Sequence, residues 1–275
     1  MKRACVVGWP IEHSRSPIIH GYWLDLHGIA GAYERRAVVP GDIAAFLADL
    51  AGQGYVGANV TVPHKEAALR AATHVDEAAR SVGAANTLWL EDGALHASNT
   101  DVYGFLRNLD DCAPGWDDAS RPAAVIGAGG AARSVLRGLL DRGFTEVRLM
   151  NRTHDRASEL AAFFGPAVRV LPWQQRSAAL EGCAILINST TLGMNGTALD
   201  IELSALPRDA VVSDLIYVPL ETPLLREARE RGLRTADGLG MLLHQAVPGF
   251  EKWFGTRPEV TPELRALVLR NIAGK

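Results

Sequence analysis

The sequence predicts an α/β protein of two domains. Three observations carry this. At 275 residues the chain is long enough to bury two cores of ordinary size. Short apolar runs alternate with longer amphipathic segments, the pattern of βαβ units and parallel sheets. A loop rich in proline, glycine and aspartate, residues 110–122, separates one such series from the next and is the best linker candidate.

In chain order, strands are expected at 4–8, 33–39, 56–62, 86–90 and 95–99, followed by a helix at 102–109. Ser16 before Pro17 marks a helix start, and Lys65 should stand on the first turn of another. The second series reads as strand 123–126, helix 131–142, strand 146–150 and helix 155–164. Further strands follow at 168–171, 184–188 and 211–215, with helices at 223–231 and 239–253. The last of these carries Leu239, Leu242, Leu243, Ala246, Val247, Phe250 and Trp253, an apolar stripe at helical spacing. It can cover the second sheet or cross back to the first; spacing alone leaves both open.

Hydrophobic residues make up 48% and charged residues 21%, an ordinary globular mixture. A net charge of −3 gives no basic footprint for nucleic acid or an anionic membrane. Cys5, Cys112 and Cys183 are scattered, which argues against a disulfide framework or a cysteine metal site. No metal is expected. No apolar run nears the roughly 20 residues that span a bilayer. Met1-Lys2-Arg3 begins like a signal segment, but the apolar stretch after it is short and broken by Pro10, Glu12 and His13. It reads as a first strand, and the expected location is cytoplasmic.

The most informative stretch is Asn59-Val60-Thr61-Val62-Pro63-His64-Lys65. Proline ends a strand and opens a helix, so Lys65 should sit at the mouth of a sheet, where α/β proteins put their chemistry. Asn59 and Thr61 share one strand face and can reach a polar ligand beside it. Asn99-Thr100-Asp101 offers a carboxylate in a similar setting, and a lysine and an aspartate together make a proton-transfer pair. Ser14 and Ser16, two apart in an extended segment, can align two hydroxyls for a carboxylate; the same residues fit a plain helix cap. Gly83-Ala84-Ala85-Asn86-Thr87 brings Asn86 to a strand entrance, where an Asx turn is the simpler reading.

Gly127-Ala128-Gly129-Gly130-Ala131-Ala132 follows an apolar strand and opens a helix. This is the dinucleotide fingerprint with Ala132 in the third glycine position. Gly127 permits the turn, Gly129 lets backbone approach a pyrophosphate, and free N–H groups at the helix start favour its charge. The next strand ends at Asn151-Arg152-Thr153, with Arg156 a turn later and no acidic residue for a ribose 2′-hydroxyl. An arginine fork suits a 2′-phosphate, so the expected cofactor is NADP. The plain alternative is a solvated arginine at a helix start.

The ordered set G-W-P-I-E-H-S-R-S-P, N-V-T-V-P-H-K, G-A-A-N-T-L, N-T-D, G-A-G-G-A-A, N-R-T and D-G-L-G-M-L-L-H-Q-A, from Gly8 to Ala246, resembles the shikimate dehydrogenase family. The resemblance implies a substrate domain (residues 1–101 with 239–275) and a Rossmann-like NADP domain (102–238), with the C-terminal helices returning to the first. It implies reversible reduction of 3-dehydroshikimate to shikimate by NADPH, in aromatic amino-acid biosynthesis. Lys65 and Asp101 would be the catalytic pair. Ser14 and Ser16 would hold the substrate carboxylate, and Asn59, Thr61, Asn86 and Gln245 its hydroxyls, with Tyr217 close by. Gly127 to Ala132 would hold the pyrophosphate, and Asn151, Arg152, Thr153 and Arg156 the adenosine phosphate. Ser189, Thr190, Leu215 and Gly238 would line the nicotinamide side. A donor and a substrate on separate domains imply domain closure.

Gly21 departs from the family's usual asparagine, and Leu215 from the methionine of some members. An NAD-preferring quinate enzyme is disfavoured by Ser16 and Arg152. A silent NADP sensor is disfavoured by intact Lys65 and Asp101. An aminoshikimate enzyme stays open, as do monomer and homodimer.

Overall fold

The computed structural model describes residues 1–194 and 197–274. Contacts divide the chain into two units, Met1–Gly104 together with the segment from Leu243 onward, and Phe105–Leu242. Each holds a six-stranded sheet. Among the described residues no helix is long and apolar enough to cross a membrane.

The first unit runs β1 (Lys2–Gly8), α1 (Ser16–Leu26), β2 (Gly31–Ala37), α2 (Ile43–Ala48), β3 (Gly57–Val60), α3 (Lys65–Ala71), β4 (His74–Val75), α4 (Glu77–Val82), β5 (Thr87–Glu91) and β6 (Ala94–Ser98). Its sheet order is β2-β1-β3-β5-β6-β4. The all-parallel expectation fails here, because β5 is antiparallel to both β3 and β6. For β5 and β6 the cause is Asp92-Gly93, a two-residue turn with positive φ at both positions (51° and 76°), the geometry of a type I′ hairpin. Strand β3 also stops at Val60, leaving Thr61 beyond its end.

The antiparallel strand has a functional consequence. It sets Asn59, Thr87 and Ser98 side by side in register. The start of β5 and the end of β6 therefore meet the end of β3. Order also reverses between β1 and β3, and the loops carrying Ser14 and Thr61 leave from that point, where open α/β sheets place ligands. The Trp9–Pro10 and Val62–Pro63 peptides in these loops are cis.

Helix α5 (Asp101–Cys112) carries the chain onward. The loop after it is no free linker: Trp116 is fully buried against Phe105 and Phe144 in the second core. The second unit continues with β7 (Ala123–Ile126), α6 (Gly130–Asp141), β8 (Val147–Met150), α7 (His154–Phe164), β9 (Val168–Val170), β10 (Ile185–Asn188), β11 (Val211–Asp214), α8 (Pro223–Glu230) and β12 (Arg234–Ala236). The order β12-β11-β10-β7-β8-β9 is all parallel and doubly wound, with its reversal between β7 and β10.

The single helix expected over 239–253 is two, α9 (Leu239–His244) and α10 (Ala246–Phe254). Pro248 explains the break: it has no N–H for the His244 carbonyl and its ring crowds that carbonyl. The last helix is α11 (Pro262–Ile272), capped by Thr261. Helix α10 belongs to the first unit, where the Trp253 indole donates to the Leu88 carbonyl at 2.8 Å. Gly57 makes this possible, since a Cβ there would lie 2.1 Å from the same indole nitrogen. Truncating the buried Trp253 to alanine should cost about 3–5 kcal/mol.

Candidate active site

Lys65 is the first residue of α3 and Asp101 the first of α5. Their side chains pair, Nζ to Oδ2, at 2.5 Å, and are 20% and 11% exposed. A carboxylate at a helix start is favoured by the dipole and an ammonium is not, so each helix alone would treat the two differently; the pairing offsets the cost for Lys65. Both positions are fixed locally. The His64 backbone N–H donates to the Thr61 carbonyl, closing the turn into α3, and its buried ring Nε2 donates to the Val38 carbonyl at 2.7 Å. Asn99 accepts from the Asp101 N–H at 3.0 Å and donates to the Ala84 carbonyl.

Asn86 joins this pair to its surroundings. Its amide donates to Asp101 Oδ1 at 2.9 Å and to Gln245 Oε1 at 3.4 Å. Its own oxygen accepts from the Thr100 N–H at 2.7 Å. No Asx turn is needed to account for it. The Thr100 hydroxyl donates to the Gln245 carbonyl at 2.7 Å, tying the end of α9 to this cluster. Asn59 is 5% exposed and engaged: its amide donates to the Asn86 carbonyl and to Thr87 Oγ1, both at 3.2 Å, and its oxygen accepts from the Tyr33 hydroxyl at 2.6 Å. Thr61 is half-buried. Ser14 Oγ lies 3.3 Å from Ser16 Oγ. The helix-cap reading of Ser16 fails, because Ser16 is already the first helical residue and Arg15 occupies the cap without a side-chain bond.

Residues to which the sequence assigned no role of their own complete this cluster. Tyr33, Thr87, Asn99 and Thr100 are ordinary strand and turn residues by pattern. Only their burial as polar groups, which then demand partners, marks them.

In the second unit, the glycine loop leaves β7 and the Ser189–Thr190 loop leaves β10, the two strands flanking the reversal. The loops touch: Gly127 has φ +107°, and a Cβ there would lie 2.6 Å from Ser189 Oγ. At Gly129 and Gly130 a Cβ would meet nothing within 4 Å, and no side chain caps α6. Unobstructed N–H groups at a helix start are an anion site, so the loop fits a pyrophosphate. Asn151 Oδ1 accepts from the Ala128 N–H at 3.2 Å, fixing this loop to the end of β8. Arg152, Thr153 and Arg156 are exposed. Among the described residues the two guanidinium groups have no hydrogen-bond or ion-pair partner, which fits a phosphate ligand.

Asp214 is fully buried at the end of β11. It accepts from Asn188 Nδ2 at 3.0 Å, the Ile216 N–H at 3.1 Å and the Thr222 hydroxyl at 2.7 Å. Burial pushes its carboxyl above the usual range, and these bonds hold it back. Asn188 in turn accepts from the Thr190 N–H and hydroxyl, so one carboxylate orders both loops of the expected nicotinamide side. Gly238 packs on Leu215, where a Cβ would lie 2.1 Å from the Leu215 carbonyl oxygen. Tyr217 is half-buried in this unit, after β11.

Three family models match: the shikimate dehydrogenase substrate binding domain over residues 6–88, shikimate/quinate 5-dehydrogenase over 116–195, and the shikimate 5′-dehydrogenase C-terminal domain over 238–267. A shikimate dehydrogenase (NADP(+)) of Azorhizobium caulinodans is 57% identical over 276 residues, covering 100% of this chain and 98% of that protein. The chain belongs to the shikimate dehydrogenase family. Among solved structures of this family, the enzyme of Thermus thermophilus in complex with NADP(H) and shikimate is 35% identical, with a TM-score of 0.85 over 99% of this chain and 100% of that one. A quinate dehydrogenase from Corynebacterium glutamicum in complex with NAD is 28% identical, with a TM-score of 0.90 over 98% of both chains.

Proposed function

We propose that this chain catalyses the reversible reduction of 3-dehydroshikimate to shikimate with NADPH, as a cytoplasmic biosynthetic enzyme. The observation that carries this is the paired Lys65 and Asp101, joined through Asn86 to Gln245. A ketone reduction needs a hydride at carbon and a proton at oxygen. When bound, NADPH supplies the hydride. Lys65 donates a proton from its ammonium group to the reacting oxygen, and Asp101 orients that group and stabilises its charge. In the oxidation of shikimate, neutral Lys65 takes the same proton back.

Ser14 and Ser16 hold the substrate carboxylate. Thr61, Asn86 and Gln245 take the ring hydroxyls; Tyr217 is assigned to substrate binding by its family motif alone. Gly127 to Ala132 hold the pyrophosphate through backbone N–H groups. Arg152, Thr153 and Arg156 take the 2′-phosphate, with Asn151 setting their loop against the glycine turn. Ser189, Thr190, Leu215 and Gly238 border the nicotinamide. The exposed arginines, unengaged among the described residues, favour NADP over NAD, since an NAD site uses an acidic residue for the ribose.

The test is an assay of shikimate and quinate, each with NADP and NAD, followed by reduced-cofactor absorbance. Shikimate with NADP should be the best pair. Best activity with quinate and NAD would make this a catabolic quinate enzyme, and activity with no pair would favour a sensor. Light scattering of the same sample separates monomer from homodimer.

A further inference from the structure

We infer that Tyr33 is a positioning residue for the Lys65–Asp101 pair, acting through Asn59, Thr87 and Asn86. The inference deepens the function proposed above and rests on it. The Tyr33 hydroxyl lies 2.6 Å from Asn59 Oδ1, and the chain of hydrogen bonds from there to Asp101 has only one workable sense. Asp101 is an acceptor and the Thr100 N–H a donor, so Asn86 must turn its Nδ2 to the first and its oxygen to the second. The Thr100 hydroxyl proton is taken by the Gln245 carbonyl. The Thr87 hydroxyl accepts from Asn59 Nδ2 and donates toward Asn86 Oδ1 at 3.0 Å, with Thr100 Oγ1 at 3.1 Å as its other acceptor. The Asn86 carbonyl takes the second Asn59 proton. Asn59 Oδ1 is left facing Tyr33, which must donate.

Tyr33 suits that task. Burial pushes its hydroxyl well above the ordinary tyrosine range, so it stays a donor. Its ring is clamped against His20 at a centroid distance of 3.9 Å and beside Trp253 at 5.8 Å. Asn59 thus supports Asn86 from behind and is not itself a ligand contact. Without the hydroxyl, Asn59 Oδ1 loses its 2.6 Å donor inside the core, and a turn of its amide releases Thr87 and the Asn86 carbonyl.

The test is Tyr33→Phe, which keeps the ring. Turnover of shikimate with NADP should fall about tenfold, the scale of one lost buried hydrogen bond, with KM for NADP unchanged. The loss should vanish in an Asn59→Ala background, because both changes cut one chain. In the variant's crystal structure the Asn86–Asp101 contact should lengthen beyond hydrogen-bond range. Unchanged turnover, additive losses, or an unmoved Asn86–Asp101 contact overturns the inference. If Tyr33→Phe does not fold, Thr87→Val cuts the chain one link on and is read by the same criteria. A wild-type protein that does not turn over shikimate would refute the proposed reaction instead, and the crystal contact then decides the role of Tyr33 alone.

Discussion

The two units present their polar groups in opposite ways. In the first, Lys65, Asp101, Asn86, Gln245 and Asn59 are buried or nearly so and already bonded to one another. In the second, Gly129, Gly130, Arg152, Thr153 and Arg156 lie open, and the arginine side chains are unengaged among the described residues. The difference matches the two tasks proposed for them. A proton donor must be held in place before the reaction, because reorganising dipoles during it costs rate. A phosphate is captured by charge and a free helix start, which work well from a solvated surface.

The largest effect should come from breaking the pre-bonded side. Lys65→Ala should cut kcat by about a thousandfold, the order seen for loss of a general acid, with little change in KM for shikimate. A large rise in KM with near-normal kcat would make Lys65 a binding residue and dissolve the contrast.

Acid should separate the units next. His20 is fully buried, neither ring nitrogen has a hydrogen-bond partner among the described residues, and burial drives it down to about 3 against the opposing influence of Asn59. The unfolded chain therefore binds more protons between pH 3 and 6.5, and stability falls as pH drops through that window. At pH 5 the loss is about 2 kcal/mol. Asp214 has the opposite sign: its raised carboxyl stabilises the fold as pH falls toward the ordinary aspartate range. Hydrogen exchange resolved by peptide at pH 7 and pH 5 should show the first unit loosening and the second holding. His20→Phe should flatten the response of the first. Equal loosening of both units, or no effect of the substitution, would show that His20 does not govern it.

The smallest effect belongs to the open side. Arg152→Ala should raise KM for NADP about tenfold and leave KM for NAD nearly unchanged, since a solvated cation–phosphate contact is worth little more than about 1 kcal/mol. Equal losses with both cofactors would place Arg152 outside the phosphate site.

What could be read in the sequence follows the same division. The glycine loop, Arg152 and the Lys65 turn are local signals, where residue type and spacing carry the physics. The α/β class was legible for the same reason. The hairpin at Asp92-Gly93 was written plainly in its turn residues, yet the strand alternation around it masked it. Pro248 splits a helix whose apolar stripe runs on unbroken, because the stripe reports burial and not backbone continuity. The buried network was not legible: Tyr33 meets Asn59 across 26 positions and Asn86 meets Gln245 across 159, and no local pattern encodes such pairings.

The Trp253 indole on the Leu88 carbonyl, the Trp23 indole on the Glu259 carbonyl and the Thr100 hydroxyl on the Gln245 carbonyl all join the segment before Asp101 to the last segment of the chain. During translation, that early segment leaves the ribosome with its partners still unmade. The unit from Phe105 to Leu242 is continuous and can close as it emerges. The unit from Phe105 to Leu242 is thus free to close first, while the earlier-made sheet still lacks helix α10.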